Sequence, residues 1–356
     1  MSPETVTEAR RQVEICNACR YCEGYCAVFP ALHRARAFSA GDLTQLANLC
    51  HNCRGCYYAC QYTAPHEFDL NLPRALADLR HESWEEFAWP RGLARAFQRS
   101  GGTIALATLI GFALLLGAVR ALPPAGGEGF YAVLSHNAMV AIFLPAFLLP
   151  LLSVGVGLRR YWRATGGGDV RLADLAQALR AAALMKNLKG GHGEGCNFED
   201  EDRFTPARRA AHHAVMYGFL LCFASTSVAT VMHYGLGMPA PYGLVSLPKL
   251  FGISGGLLMT WGAVWLIQLK LRADRDLGAR QAWGAEVGFT ALLGFVGFSG
   301  LVLYAGGQTA AMPALLVVHL GAVLAFFILT PFTKMAHGFY RLAALMNEAG
   351  IARRQR

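Results

Sequence analysis

Two runs of four cysteines carry the most definite chemistry in this 356-residue chain. The first is Cys16-Asn-Ala-Cys19-Arg-Tyr-Cys22-Glu-Gly-Tyr-Cys26, and the second is Cys50-His-Asn-Cys53-Arg-Gly-Cys56-Tyr-Tyr-Ala-Cys60. Both read C-x2-C-x2-C-x3-C, and the second repeats the first 34 residues on. Loops this short let three thiolates meet three corners of one cubane, while the fourth ligand comes from the other run. The spacing therefore predicts two [4Fe–4S] clusters: one on Cys16, Cys19, Cys22 and Cys60, the other on Cys50, Cys53, Cys56 and Cys26. A pair of zinc sites is the rival reading, but zinc favours paired C-x2-C halves with a longer spacer. One departure from the ferredoxin pattern stands out. Ala27 and Gln61 follow the fourth cysteine of each run, where proline is usual, and Pro30 and Pro65 come a few residues later. That leaves the local turn open, not the ligands.

Of the ten cysteines, Cys196 and Cys222 alone fall outside the runs. The opening MSPETVTEARRQ is charged and has no apolar core, so it does not read as a signal peptide. These cysteines are therefore expected in a reducing cytoplasm, where thiolates bind metal rather than pair.

The elements that must position this chemistry are membrane-like. Hydrophobic residues make up 54% of the chain and charged residues 15%. Six apolar stretches, at about 103–122, 130–156, 211–235, 249–271, 286–306 and 311–333, each approach the roughly 20 residues needed to cross a bilayer. With the N-terminus placed in the cytoplasm, 30 of the 32 Lys and Arg fall on the inner side, leaving Arg120 and Lys249 outside. Residues 171–189 read as an amphipathic surface helix rather than a seventh span. The net charge of +9 follows membrane topology and forms no basic stripe, which sets nucleic acid aside.

Histidines in or beside these spans suggest haem. His319 and His337 are 18 residues apart, which returns to the same helix face about 27 Å away. His212 and His233 are 21 residues apart, about 60° different in phase. Phase prefers His212 over His213, a preference that a helix kink would reverse. Opposite directions for the third and sixth spans then bring His212 or His213 to His337 at one depth, and His233 to His319 at the other. Two bis-histidine pairs suit one or two b-type haems. His136 has no evident partner and is a structural residue or a weak quinone-site candidate.

Other features are less specific. Gly252 and Gly256 form a GxxxG and Gly294, Gly297 and Gly300 line the fifth span, most simply as helix contacts. Apart from Glu286 at a boundary the spans lack carboxylates, which counts against a proton-coupled transporter. The glycine-rich linker around His192 and Cys196 reads as a surface loop, and Cys222 as a small buried hydrophobe.

The chain resembles the tricarballylate/citrate utilisation protein B family over nearly its whole length. The resemblance rests on the cysteine runs, Phe87-Ala-Trp-Pro90, Gly195-Cys196, the segment from His212-His213 to Thr230, Val318-His319-Leu-Gly321 and Lys334-Met-Ala-His337-Gly-Phe-Tyr-Arg341. It implies a membrane protein with iron–sulfur clusters and b haem, taking electrons from a soluble FAD-dependent dehydrogenase for tricarballylate and passing them to quinone. The expected fold is mostly α, a dicluster ferredoxin-like iron–sulfur domain followed by a six-helix transmembrane bundle. The expected divisions are 1–67 (clusters), 68–100 (amphipathic interfacial linker), 101–340 (six spans, with a cytoplasmic loop at 157–210) and 341–356 (basic tail). The expected setting is a bacterial cytoplasmic membrane, with the cluster domain and C-terminus inside. The alternatives are the anchor subunit of a disulfide-reductase-like respiratory complex, or a partner of a cobalamin-biosynthesis flavoprotein. With no flavin or nicotinamide motif here, substrate chemistry belongs to the partner.

Overall fold

The computed structural model describes residues 1–35, 37–121, 129–190, 193, 195–198 and 203–355. The first half of the cysteine domain is built by α1 (Pro3–Cys19) and α2 (Val28–Arg34), followed by α3 (Ala40–Leu49) and the single turn α4 (Gly55–Tyr58). Ser2 caps α1 by accepting from the Thr5 N–H, and Pro3 suits the first turn, where no N–H is needed. The helix stops where Arg20 turns left-handed (φ 58°) and returns its N–H to the Cys16 carbonyl. A reciprocal Ser39/Asp42 capping box starts α3.

Next come α5 (Leu72–Phe87) and α6 (Arg91–Arg99). Sequence reading places this stretch at the membrane interface. In the structure α5 is instead part of the cysteine domain's core: Leu72, Leu76, Leu79, Trp84 and Phe87 are buried with Leu43, Leu46 and Leu49. The apolar stripe of α5 thus faces protein, and only Trp89 of the three aromatics around the boundary is exposed.

The bundle consists of α7 (Gly101–Ala121), a short α8 (Phe130–Val133), α9 (His136–Ala164), a surface helix α10 (Leu172–Ala183), α11 (Ala207–Leu236), α12 (Leu247–Arg272), α13 (Trp283–Gly306) and α14 (Met312–Leu329). Six helices among the described residues are long and apolar enough to cross a membrane. Their surfaces carry outward leucines such as Leu106, Leu109, Leu148 and Leu149, the reverse of a water-facing surface. The second span begins at His136 rather than 130, because Ser135 caps it by accepting from the Ala138 N–H, and it runs on to Ala164.

The last element, α15 (Ala336–Arg354), replaces the expected basic tail. It packs on α3 and α10, burying Tyr340, Ala343 and Ala344, while Arg353 pairs with Asp174 at 3.1 Å. The basic residues of the C-terminus therefore anchor a helix. The cysteine domain is seated on these helix ends: Tyr161 of α9 donates to Gln45 at 2.6 Å, and Gln45 donates to the Ala344 carbonyl at 2.8 Å.

Close packing of α11 on α12 depends on glycine. A Cβ at Gly218 would lie 2.5 Å from the Met259 nitrogen, and one at Gly255 2.8 Å from the Cys222 nitrogen. Backbone cannot yield as a side chain does, and overpacking typically costs about 1–3 kcal/mol. Gly218→Ala is expected to lower the thermal unfolding temperature of the detergent-solubilised protein. Gly155→Ala, with open space around it, is expected to leave that temperature unchanged or raise it. Equal unfolding temperatures for the two variants would contradict this packing.

Candidate redox sites

The cysteines line two adjoining cavities. The distal cavity, about 220 Å³, is walled by Cys16, Cys19, Cys22, Cys56 and Cys60 with Tyr21, Tyr57 and Tyr62. The proximal one, about 20 Å³, is walled by Cys26, Cys50, Cys53 and Cys56 with Phe29 and Leu76. Cys19 is exposed at the distal site, whereas Cys50 and Cys53 are buried at the proximal site. Cys60, from the second run, joins the first run's cavity, and Cys26 joins the second run's. Cys56 forms the wall between them. Among the described residues no three His, Cys, Asp or Glu side chains converge tightly enough for one metal ion; the thiols surround cavities instead.

Local backbone explains the geometry. Asn52 (φ 50°) and Arg54 (φ 68°) take left-handed conformations between the cysteines, which folds Cys50–Cys56 into a tight loop. The Asn52 N–H points at the Cys50 sulfur (3.4 Å) and the Tyr62 N–H at the Cys60 sulfur (3.4 Å). Such N–H donors stabilise thiolate charge and tune an attached cluster. Burial, with neighbouring thiolates adding to it, pushes Cys16 and Cys22 up to about 12 and Cys26 and Cys56 well above the ordinary thiol range. Eight thiols this close ionise together only around a positively charged core.

Cys196 is a further thiol at the proximal site. It is 1% exposed, hydrogen-bonds to Cys53, and lies in a short bridge with Thr205. The neighbouring Asn197 N–H donates to the Cys53 carbonyl at 3.0 Å. The sequence reads as a surface loop here, whereas the structure buries Cys196 against the proximal cysteine loop; the isolated Gly195-Cys196 is the signal that marks it. His192 lies outside the described residues.

The histidines form three groups. At the cysteine-domain end of the bundle, His212 of α11 meets His337 of α15 edge to face, with centroids 5.8 Å apart. His337 Nδ1–H donates to the Lys334 carbonyl, which leaves Nε2 free and fixes the ring's orientation. Burial lowers the His337 pKa well below the ordinary histidine value, so the ring is neutral, the form that binds metal. Among the described residues the buried Nδ1 of His212 has no hydrogen-bond partner. His213 turns away, toward Tyr217 and the Ala183 carbonyl at the end of α10.

At the far end of the bundle the arrangement differs from the sequence expectation. His233 stacks on His136 with centroids 4.2 Å apart, and His136 Nε2 hydrogen-bonds to Tyr234 at 2.7 Å. Among the described residues no ring contact joins His233 to His319. His319 instead hydrogen-bonds through Nδ1 to Ser299 at 3.1 Å, with Gly300 across from it, where a Cβ would come within 2.9 Å of the ring. Helical phase does not register the His136–His233 pair, because it arises where two helix ends meet.

Beside His337, Glu286 accepts hydrogen bonds from both Lys270 and Lys334. The Lys334 ammonium also sits 5.4 Å from the Trp84 ring. Glu286, the carboxylate at the edge of the fifth span, is thus part of the support for the segment that orients His337.

The cysteine domain and bundle are joined beside these histidines. Arg208, one helical turn before His212, donates to the Asn52 carbonyl at 2.7 Å. Arg341, one turn after His337, donates to the Cys50 carbonyl at 2.7 Å.

Residues 9–86 match the family model for the Fer4-like domain of citrate utilization protein B, and residues 95–356 match the model for citrate utilization protein B itself. The chain is 41% identical to the Escherichia coli citrate utilization protein B, over 99% of this chain and 94% of that protein. No solved structure matches. A Fer4-like cysteine domain on a bundle of six apolar helices, matched from end to end, places this chain in the citrate utilization protein B family.

Proposed function

We propose that the chain is a membrane-anchored electron-transfer subunit, linking a soluble FAD-dependent dehydrogenase in the cytoplasm to the quinone pool of a bacterial cytoplasmic membrane. One observation carries this reading: the proximal cysteine loop is hydrogen-bonded to Arg208 and Arg341, each one turn from the facing pair His212 and His337. Cysteine chemistry and histidine chemistry are thereby held in one rigid unit. In this reading Cys16, Cys19, Cys22 and Cys60 hold the distal [4Fe–4S] cluster, and Cys50, Cys53, Cys56 and Cys26 the proximal one. His212 and His337 hold a b haem. His233 and His319 belong to a second haem only if His233 leaves His136. When bound, these groups supply one-electron carriers matched to a flavin on one side and a quinone on the other.

The residues do the rest. Exposed Cys19 and Tyr21 open the distal site to a docking flavoprotein. Buried Cys50 and Cys53 keep water from the proximal site. Lys334, held by Glu286, presents its carbonyl to His337 and fixes the free nitrogen.

Purified full-length protein is expected to contain about eight iron atoms per chain, the content of two cubanes, and a haem spectrum by pyridine haemochrome. Zinc in place of iron, or iron with no haem band, would overturn the reading.

A further inference from the structure

Four arginines converge on the proximal cysteine loop from separate parts of the fold. Arg80 of α5 donates to the carbonyls of Ala47 (3.0 Å) and Cys50 (2.8 Å). Arg341 donates to the same Cys50 carbonyl and Arg208 to that of Asn52. Arg54, within the loop, donates to the carbonyls of Phe198 (3.1 Å) and Asp274 (2.7 Å). Arg54 is 2% exposed and Arg80 6%.

Arg208 also hydrogen-bonds to the Cys196 thiol, while the acceptors named for Arg80, Arg341 and Arg54 are neutral carbonyls. Among the described residues none of the four guanidiniums forms an ion pair with a carboxylate. The acidic stretch 199–202, which follows Phe198 beside Arg54 and Arg208, lies outside the described residues; Arg80 and Arg341 approach instead through Cys50. A buried cation without an anion is costly, and natural folds seldom retain one unless it is compensated. Arg341 lies in the field of the Cys50 and Cys26 thiols and Arg208 in that of Cys53, while Arg80 reaches the loop through the Cys50 carbonyl that it shares with Arg341. Among the described residues no lysine or arginine lines the distal cavity, whose walls are cysteine, aromatic and aliphatic apart from Gln61.

We propose that Arg80 and Arg341, assisted by Arg54 and Arg208, are positioning residues that hold the proximal site at a higher reduction potential than the distal one. The inference rests on the reading that both cavities hold clusters. Transfer between them removes one electron from the distal site and adds one at the proximal site. No bond changes and no proton moves. The proximal site becomes one charge more negative in a low-dielectric interior, where that charge would be penalised without nearby cations. The guanidiniums offset the penalty and give electron flow a direction toward His212 and His337.

The test is a redox titration of the full-length, detergent-solubilised holoprotein, followed by electron paramagnetic resonance. Cys19→Ala, at the exposed ligand, identifies the distal signal. Arg80→Gln and Arg341→Gln each keep a donor but remove a charge. Each is expected to lower the reduced-to-oxidised ratio of the proximal signal about tenfold at fixed potential, or about 59 mV for a one-electron couple. The distal signal is expected to stay in place. Arg80→Lys and Arg341→Lys, which keep the charge and lose the fork, are expected to retain most of the wild-type potential.

Proximal and distal couples that both stay fixed, or both move equally, in Gln variants with full iron would overturn the proposal. If Arg80→Gln fails to assemble, Arg341→Gln and the Lys variants decide it. A Lys variant that shifts the proximal couple as far as Gln assigns the effect to hydrogen bonding and overturns the charge argument. Wild-type protein without iron overturns the cluster reading itself, which is a separate outcome.

Discussion

Cys60→Ser is expected to abolish the distal cluster and spare the proximal one, although Cys60 belongs to the second run. Iron content is expected to fall from about eight toward about four per chain, and the surviving signal should match that of Cys16→Ser rather than Cys53→Ser. The basis is the sharing of cavity walls: Cys60 stands with Cys16, Cys19 and Cys22, while Cys26 stands with Cys50 and Cys53. Cys26→Ser is the mirror experiment, removing the proximal cluster although Cys26 lies in the first run. Quinone reduction by the partner's electrons should fall by at least on the order of 10–100-fold in either variant, the loss that even a supporting residue at a metal site produces. The two variants differ in what still reduces. With Cys26→Ser the distal signal should still be reduced by the donor, whereas with Cys60→Ser the proximal signal should lose its reductant. If Cys60→Ser instead matches Cys53→Ser in its residual spectrum, each run holds its own cluster and the crossed arrangement is wrong.

Much of this organisation is legible in the sequence because it is set by short-range constraints. Ligand spacing within a run is local, so C-x2-C-x2-C-x3-C points to a cluster site without knowledge of the fold. Hydropathy finds six spans because every lipid-facing turn must be apolar. The boundaries are less secure: apolar residues 130–134 precede the second span, and only the Ser135 cap shows where the helix starts. What the sequence does not show is where one surface covers another. Trp84 and Phe87 look interfacial beside their basic neighbours, yet they pack on Tyr340 and Tyr161 contributed by α15 and α9. The basic C-terminus looks like a tail until its arginines meet Asp169 and Asp174. Arg80 and Arg341 are 261 residues apart in sequence and share one carbonyl, a relation that no local pattern encodes. The His136–His233 stack is equally remote, joining the start of one helix to the end of another.

His212→Ala and His337→Ala are each expected to remove the same haem, while His213→Ala retains it. Helical phase separates the two adjacent histidines by about 100°, enough to send them to different faces of α11. The structure turns His212 toward His337 and leaves His213 beside Tyr217 and Ala183. His337 is further constrained, because its Nδ1–H is held by the Lys334 carbonyl and Lys334 is held by Glu286. Glu286→Gln should therefore weaken rather than abolish haem binding, on the order of 10–100-fold, as loss of an outer-shell partner does. Haemochrome and the low-temperature visible spectrum measure the haem, while retained iron–sulfur absorbance shows that the cysteine domain is intact. Because Arg208 and Arg341 bridge the two regions, these variants are expected to keep both clusters reducible by the donor and lose quinone reduction. That combination separates a break in the electron path from general unfolding. Loss of haem in His213→Ala with retention in His212→Ala would show that α11 is rotated from its position here, and with it the link between the cysteine loop and the bundle.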